Sequence, residues 1–138
     1  MATVKSAAEI EEEILGKWRT VQTEGIPQLR EVFNIDESVV PDNPRGEIDI
    51  SKDSEGVYII VNRSEWGTKR LRVELGKPTK DTVMGREIDM VTIWEGPRLA
   101  TKVVGTKDNM VTREVVDGRL VSVVHINDFV ITSIAEKY

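Results

Sequence analysis

From Gly46 to the C-terminus the chain repeats one pattern, a short run of alternating apolar and polar residues followed by a turn. A period of two sends successive side chains to opposite faces, so each run reads as a half-buried strand. These strands cover Gly46–Lys52, Gly56–Arg63, Thr68–Leu75, Thr79–Met84, Arg86–Glu95, Arg98–Val104, Asn109–Val116, Arg119–Ile126 and Phe129–Glu136. Asp53-Ser54-Glu55-Gly56, Gly96-Pro97, Lys107-Asp108-Asn109 and Asp117-Gly118 supply turn chemistry, and the last is a specific two-residue hairpin signal. Strands joined this tightly form an antiparallel meander. With a first strand opening at Gly16 they number ten, and so many strands expose their edges unless the sheet closes. The expected fold is therefore all-β, a ten-stranded antiparallel up-and-down β-barrel whose interior is too wide to fill with side chains.

The segment ahead of the meander differs. Ser6-Ala7-Ala8-Glu9 has the form of a capping box, and Ile10 and Ile14 follow at helical spacing. This predicts a solvated helical extension over residues 1–14, ending near Leu15, with only the Ile10 and Ile14 stripe on the body and Glu11, Glu12 and Glu13 in water. The first strand, Gly16 to Thr23, sets Trp18, Thr20 and Gln22 against Arg19, Val21 and Thr23. Ile26–Phe33 reads as a short helix with Pro27 in its first turn, and Asp36–Val40 as a second turn stopped by Pro41. The pair looks like a lid placed between the first strand and the rest.

A length of 138 residues fits a single domain spanning 1–138 with one ligand site. Hydrophobic residues make up 39% and charged residues 31%, with no apolar run long enough to cross a membrane, so a soluble globular protein is expected. The net charge is -5 and no basic cluster is interleaved with aromatics, which argues against nucleic acid as a partner. Five acids and two bases between Glu24 and Arg45 give the lid a local charge of -3, so direct binding to an anionic membrane should be weak or absent. The absence of cysteine removes thiol catalysis and cysteine-ligated zinc. The N-terminus is acidic where a signal peptide needs a basic start, so the chain as written should stay in the cytosol or diffuse into the nucleus; a secreted form with its leader removed would look the same.

In the strand Asn109–Val116, alternation puts Arg113 on the face of Val111 and Val115. A guanidinium on an apolar face is costly unless paired, so Arg113 is either a structural ion-pair partner or a receptor for an anion. Other chemistry finds little support. His125, the single histidine, falls on the opposite face from Val124 and Ile126 and reads as exposed; without a Gly-x-Ser-x-Gly elbow it does not build a triad, and one histidine makes a closed zinc site improbable. Asp36 and Glu37 lie in the polar lid, where solvation explains them. No phosphate-cradling glycine loop occurs. No metal and no cofactor are expected.

The chain resembles the intracellular lipid-binding proteins, the fatty-acid-binding and cellular retinoid-binding group of the calycin superfamily. The likeness runs from Leu15 to Lys137 and rests on Gly16-Lys17-Trp18, the two-helix insert, the Leu75-Gly76 bend, Thr92-Ile93-Trp94-Glu95-Gly96 and the closing run Val130–Lys137, in order and at family spacing. The resemblance implies a β-clam with a helix-turn-helix lid, to which the N-terminal helix is an addition. It sets Arg113 on the inner-strand arginine that meets the ligand head group. Two further head-group positions, an arginine and a tyrosine in the family, read Ser133 and Ala135 here, so the carboxylate clamp is incomplete. The same alignment implies ligand contacts at Ile26, Leu29, Ile48, Asn62, Val111, Val124 and Ile131, and sets Trp66 at the portal.

The expected function is thus non-covalent binding and intracellular transport of a fatty acid or related small hydrophobic lipid by a monomer without catalytic activity. A retinoid-type carrier is a variant of this reading. The competing class is a small barrel enzyme on an apolar substrate with Arg113 stabilising a developing anion, for which the sequence offers no obvious base. A protein-interaction module is a third reading, which a cavity full of side chains would favour.

Overall fold

A computed structural model describes residues 6–34, 36, 38, 45–64, 67–83, 86–105, 109–126 and 129–138. Helix α1 (Ala7–Ile14) leads into β1 (Gly16–Glu24), helix α2 (Ile26–Phe33) and nine more strands. These are β2 (Gly46–Ser54), β3 (Val57–Ser64), β4 (Gly67–Glu74), β5 (Pro78–Val83), β6 (Arg86–Glu95), β7 (Arg98–Val103), β8 (Asn109–Val116), β9 (Arg119–Ile126) and β10 (Phe129–Lys137). All ladders are antiparallel, in the order β4-β3-β2-β1-β10-β9-β8-β7-β6-β5. The expected meander and all-β class are therefore observed. Closure is nearly complete, since the two end strands, β4 and β5, face each other without a backbone ladder.

Local chemistry explains the connections. Val116 pairs with Arg119, leaving Asp117 and Gly118 as a two-residue loop with φ of 51° and 78°, the left-handed pair that a tight hairpin requires. Gly25, with φ of 100°, turns β1 into α2, and a Cβ there would lie 2.3 Å from the carbonyl oxygen of Val130. Only glycine permits that approach of lid to wall. The expected second lid turn, 36–40, lies largely outside the described residues; Asp36 accepts from the backbone N–H and hydroxyl of Ser38 at 2.8 Å each, which holds its carboxyl below the usual range.

Two expectations are corrected. Simple alternation along β1 fails at Val21: Thr20 pairs with Ala135 but Gln22 with Ile134, so a bulge inserts one residue and brings Thr23, rather than Gln22, to the inner face with Trp18 and Thr20. The N-terminal helix is also docked rather than a solvated extension. Ser6 caps it by accepting the Glu9 N–H at 3.2 Å, and the Ser6 hydroxyl donates to the Glu9 carboxylate. Ile14 is 1% exposed and joins Trp18, Ile50, Ile60, Val73, Leu99, Leu120 and Ala135 in one core at the base of the barrel. Burial of side chains of this size contributes roughly 1.5–3 kcal/mol each. Trp18 donates its indole N–H to the Ile14 carbonyl at 2.9 Å, locking helix to strand.

Glu11 is not left in water either. It accepts a short hydrogen bond from the Tyr58 hydroxyl and an ion pair from Lys52 at 2.9 Å, which lower its pKa and raise that of Lys52. Burial, and then Glu11 itself, push the Tyr58 phenol up to about 12. The Tyr58 and Trp94 rings meet edge to face at 6.3 Å, so the helix is tied to the aromatic floor of the barrel.

Candidate ligand cavity

Above this base the barrel encloses a cavity of about 620 Å³, walled by β3 through β9. Inward alternation supplies the wall. Ile60, Leu71, Val73, Ile88, Met90 and Val103 make it largely apolar, joined by Met110, Val111 and Val124 from β8 and β9. Thr92 and Thr101 sit side by side in the β6–β7 ladder, buried, with one hydroxyl donating to the other at 2.9 Å, which spends one of their two O–H donors.

Arg113 is the cation at the inner end of that wall, apart from the polar residues Asn62, Lys69, Thr79, Asp81 and His125. Its side chain keeps some accessible surface because it borders the cavity, yet Nε is fully buried with no hydrogen-bond partner. Among the described residues the guanidinium has neither a hydrogen bond nor an ion pair. Burial alone lowers its pKa from 12.5 to about 10, which leaves it cationic at neutral pH. A desolvated cation beside an internal cavity is costly to keep without a counter-charge, which favours an anion there.

The residues expected at the site separate into groups. Arg113, Asn62, Val111 and Val124 line the cavity together. Ile131 pairs with Val124 and Ser133 with Ser122, so both lie on the inner face of β10, beyond the wall just described. Ala135 is buried in the base core, and Ile48 packs against it. Ile26 of α2 is buried and Leu29 half-buried in the lid. Trp66 lies outside the described residues. Sequence reasoning missed Thr92, Thr101, Met90, Ile88, Lys69 and Asp81, whose period-two spacing was visible but whose inward parity was not. His125 is exposed, as expected, and borders the cavity at its mouth. Among the described residues no helix is long and apolar enough to cross a membrane, and no three His, Cys, Asp or Glu side chains gather as a metal site.

Comparison with solved structures decides the fold. The chain superposes on fatty-acid-binding protein 1 of Echinococcus granulosus with a TM-score of 0.75 at 18% identity, over 91% of this chain and 98% of that one. The chain shares that fold. A Schistosoma mansoni fatty acid binding protein in complex with arachidonic acid gives 0.73 at 14% identity, over 91% and 96% of the two chains. Zebrafish ileal bile acid-binding protein complexed with cholic acid gives 0.72 at 17%, over 91% and 99%. No family model and no curated relative matches the chain.

Proposed function

We propose that the protein is a non-catalytic intracellular carrier that binds one amphipathic lipid inside the barrel, acidic head inward against Arg113 and tail toward the lid. The observation that carries this reading is the guanidinium of Arg113, its Nε buried and without a hydrogen-bond partner among the described residues, on the wall of a largely apolar 620 Å³ cavity. Arg113 pairs with Leu99, and Leu99 with Trp94, both of the base core region, so the cation lies at the inner end. Asn62, Val111 and Val124 then follow the tail, with Ile26, Leu29 and Ile131 flanking its way out. Ser133 offers a hydroxyl near the head, while Ala135 and Ile48 act from below as packing.

The structural neighbours named for fatty acids and a bile acid support the class of ligand. An enzymatic reading needs a base beside Arg113. The other titratable groups on the wall, Lys69, Asp81 and His125, come from the mouth ends of β4, β5 and β9, and the first two are paired to each other at 2.6 Å. We read the carrier as a soluble monomer of the cytosol, with access to the nucleus by diffusion, that needs no metal, cofactor or nucleic acid.

Mass spectrometry of lipid extracted from the purified protein, followed by displacement of a fluorescent fatty acid with unlabelled lipids, tests the reading. An acidic lipid should be recovered and should displace the probe at one-to-one stoichiometry. Failure of every lipid class to displace it would overturn the proposal.

A further inference from the structure

The polar groups of the cavity fall into two sets. Arg113 is the inner one, with the hydrogen-bonded Thr92–Thr101 pair beside it. The outer set is Asn62, Lys69 and Asp81, contributed by β3, β4 and β5 around the seam where the sheet has no ladder, with His125 of β9 at the mouth as well. Asp81 is the least expected member, because its side chain is 9% exposed although a carboxylate near a cavity mouth is better solvated by turning outward. Lys69 holds it across the seam at 2.6 Å, and the Thr82 N–H donates to it at 2.8 Å. Both contacts fall on Oδ1. Oδ2 receives no hydrogen bond among the described residues and keeps its acceptor capacity. Asn62, opposite Lys69 in the β3–β4 ladder, borders the same cavity with its amide uncommitted among those residues.

The spacing of the two sets follows from the ladders. Arg113 shares a cross-strand row with Leu99 and Trp94, whereas Asp81 pairs with Ile88, six residues farther along β6. At ~3.4 Å per residue that separates the rows by about 20 Å along the wall. Between them the wall presents Met90, Val103 and Leu71, with the single hydroxyl of Thr79 opposite Met90.

We propose that the ligand is polar at both ends, an acid at Arg113 and a hydroxyl at the far end of its tail, received by Asp81 and Asn62. This deepens the carrier reading and rests on it. On a wholly apolar wall a terminal hydroxyl without a partner weakens binding by roughly ten- to a hundredfold, whereas an acceptor carboxylate and an amide at that point offset the loss.

The test displaces a fluorescent fatty acid with matched alkanoic and ω-hydroxyalkanoic acids of ten to eighteen carbons, on wild type, Asp81→Leu and Asp81→Asn. In the wild type, at one chain length, the hydroxy acid should bind at least as tightly as its unsubstituted partner. Asp81→Leu should restore a tenfold or larger preference for the unsubstituted acid, and Asp81→Asn, which still hydrogen-bonds, should not. Asn62→Leu makes the same comparison without touching the ion pair, should Asp81→Leu fail to fold. A tenfold or greater penalty for every hydroxy acid on the wild type overturns the proposal and leaves the carrier reading intact. Parity that survives the leucine substitutions overturns it as well, because the hydroxyl is then meeting water at the mouth. If neither series displaces the probe, the carrier reading falls and takes this proposal with it.

Discussion

Arg113 stands directly opposite Ser122 in the β8–β9 ladder, and Ser122 stands opposite Ser133 in the next, so a cation and two hydroxyls share one inner row. The bulge in β1 extends that row to Thr23. On the proposed reading, a head group at Arg113 would have small polar neighbours on one side, where ordered water can complete its hydrogen bonds.

Arg113→Gln should weaken a carboxylate ligand by roughly ten- to a hundredfold, since a hydrogen bond to a charged partner is worth about 1.5–3 kcal/mol net. A neutral amide or alcohol of equal tail length should be much less affected. Restoring a fuller clamp, as Ser133→Arg with Ala135→Tyr, should favour the acid selectively. Calorimetric titration of matched acid and amide ligands measures both effects; a wild-type acid preference that survives Arg113→Gln would assign Arg113 a purely structural role.

The free protein should gain stability when the unpaired cation is removed. Arg113→Met replaces a desolvated charge with an apolar chain of similar reach and should stabilise the ligand-free barrel by about 1–3 kcal/mol while removing its acid selectivity. Urea unfolding of the delipidated protein reads the first effect. A clear loss of stability would show that the guanidinium has a partner in the free state.

The anchor of the N-terminal helix predicts a dependence on pH. The folded state lowers the Glu11 pKa from 4.5, so the carboxylate's contribution is present above that value and is lost as pH falls through the folded pKa. Tyr58 is raised from 10 to about 12, so its contribution is present below 10 and is lost as pH rises through 12. Tyr58→Phe should destabilise by about 1.5 kcal/mol, the low end for a bond to a charged group because Glu11 still meets solvent. It should also flatten the acid limb of a plot of thermal midpoint against pH.

Gly25→Ala should disturb the lid and spare the barrel. The new Cβ meets the Val130 carbonyl oxygen at 2.3 Å on a backbone with φ of 100°, so α2 must shift from β10. Faster release of bound probe, with a thermal midpoint lowered by only a few degrees, is the expected result in stopped flow and calorimetry.

Lipid transfer should proceed through water. The lid segment from Glu24 to Arg45 carries five acids and two bases, which anionic headgroups repel. Transfer rates to vesicles should therefore be independent of vesicle concentration and of anionic lipid content. Rates that climb with either would mean the protein collides with the membrane.

The sequence by itself determined the strands, their order and the hairpin turns, because period-two alternation and Asp117-Gly118 are local signals that few other structures satisfy. It also singled out Arg113, since one cation among Val111 and Val115 breaks a pattern legible within eight residues. Parity across strands was a different matter. Whether Thr92 or Ile93 faces inward, and where a bulge at Val21 reverses the faces of β1, depends on ladder register, which neighbouring strands set together. The docking of Glu11 on Tyr58, 47 residues away, and the Lys69–Asp81 pair across an unladdered seam have no local signature. Nor does the solitude of Arg113, because a charge lacks a partner only once every strand around it has taken its place. Those relations belong to tertiary structure, where burial removes water and makes a missing partner costly.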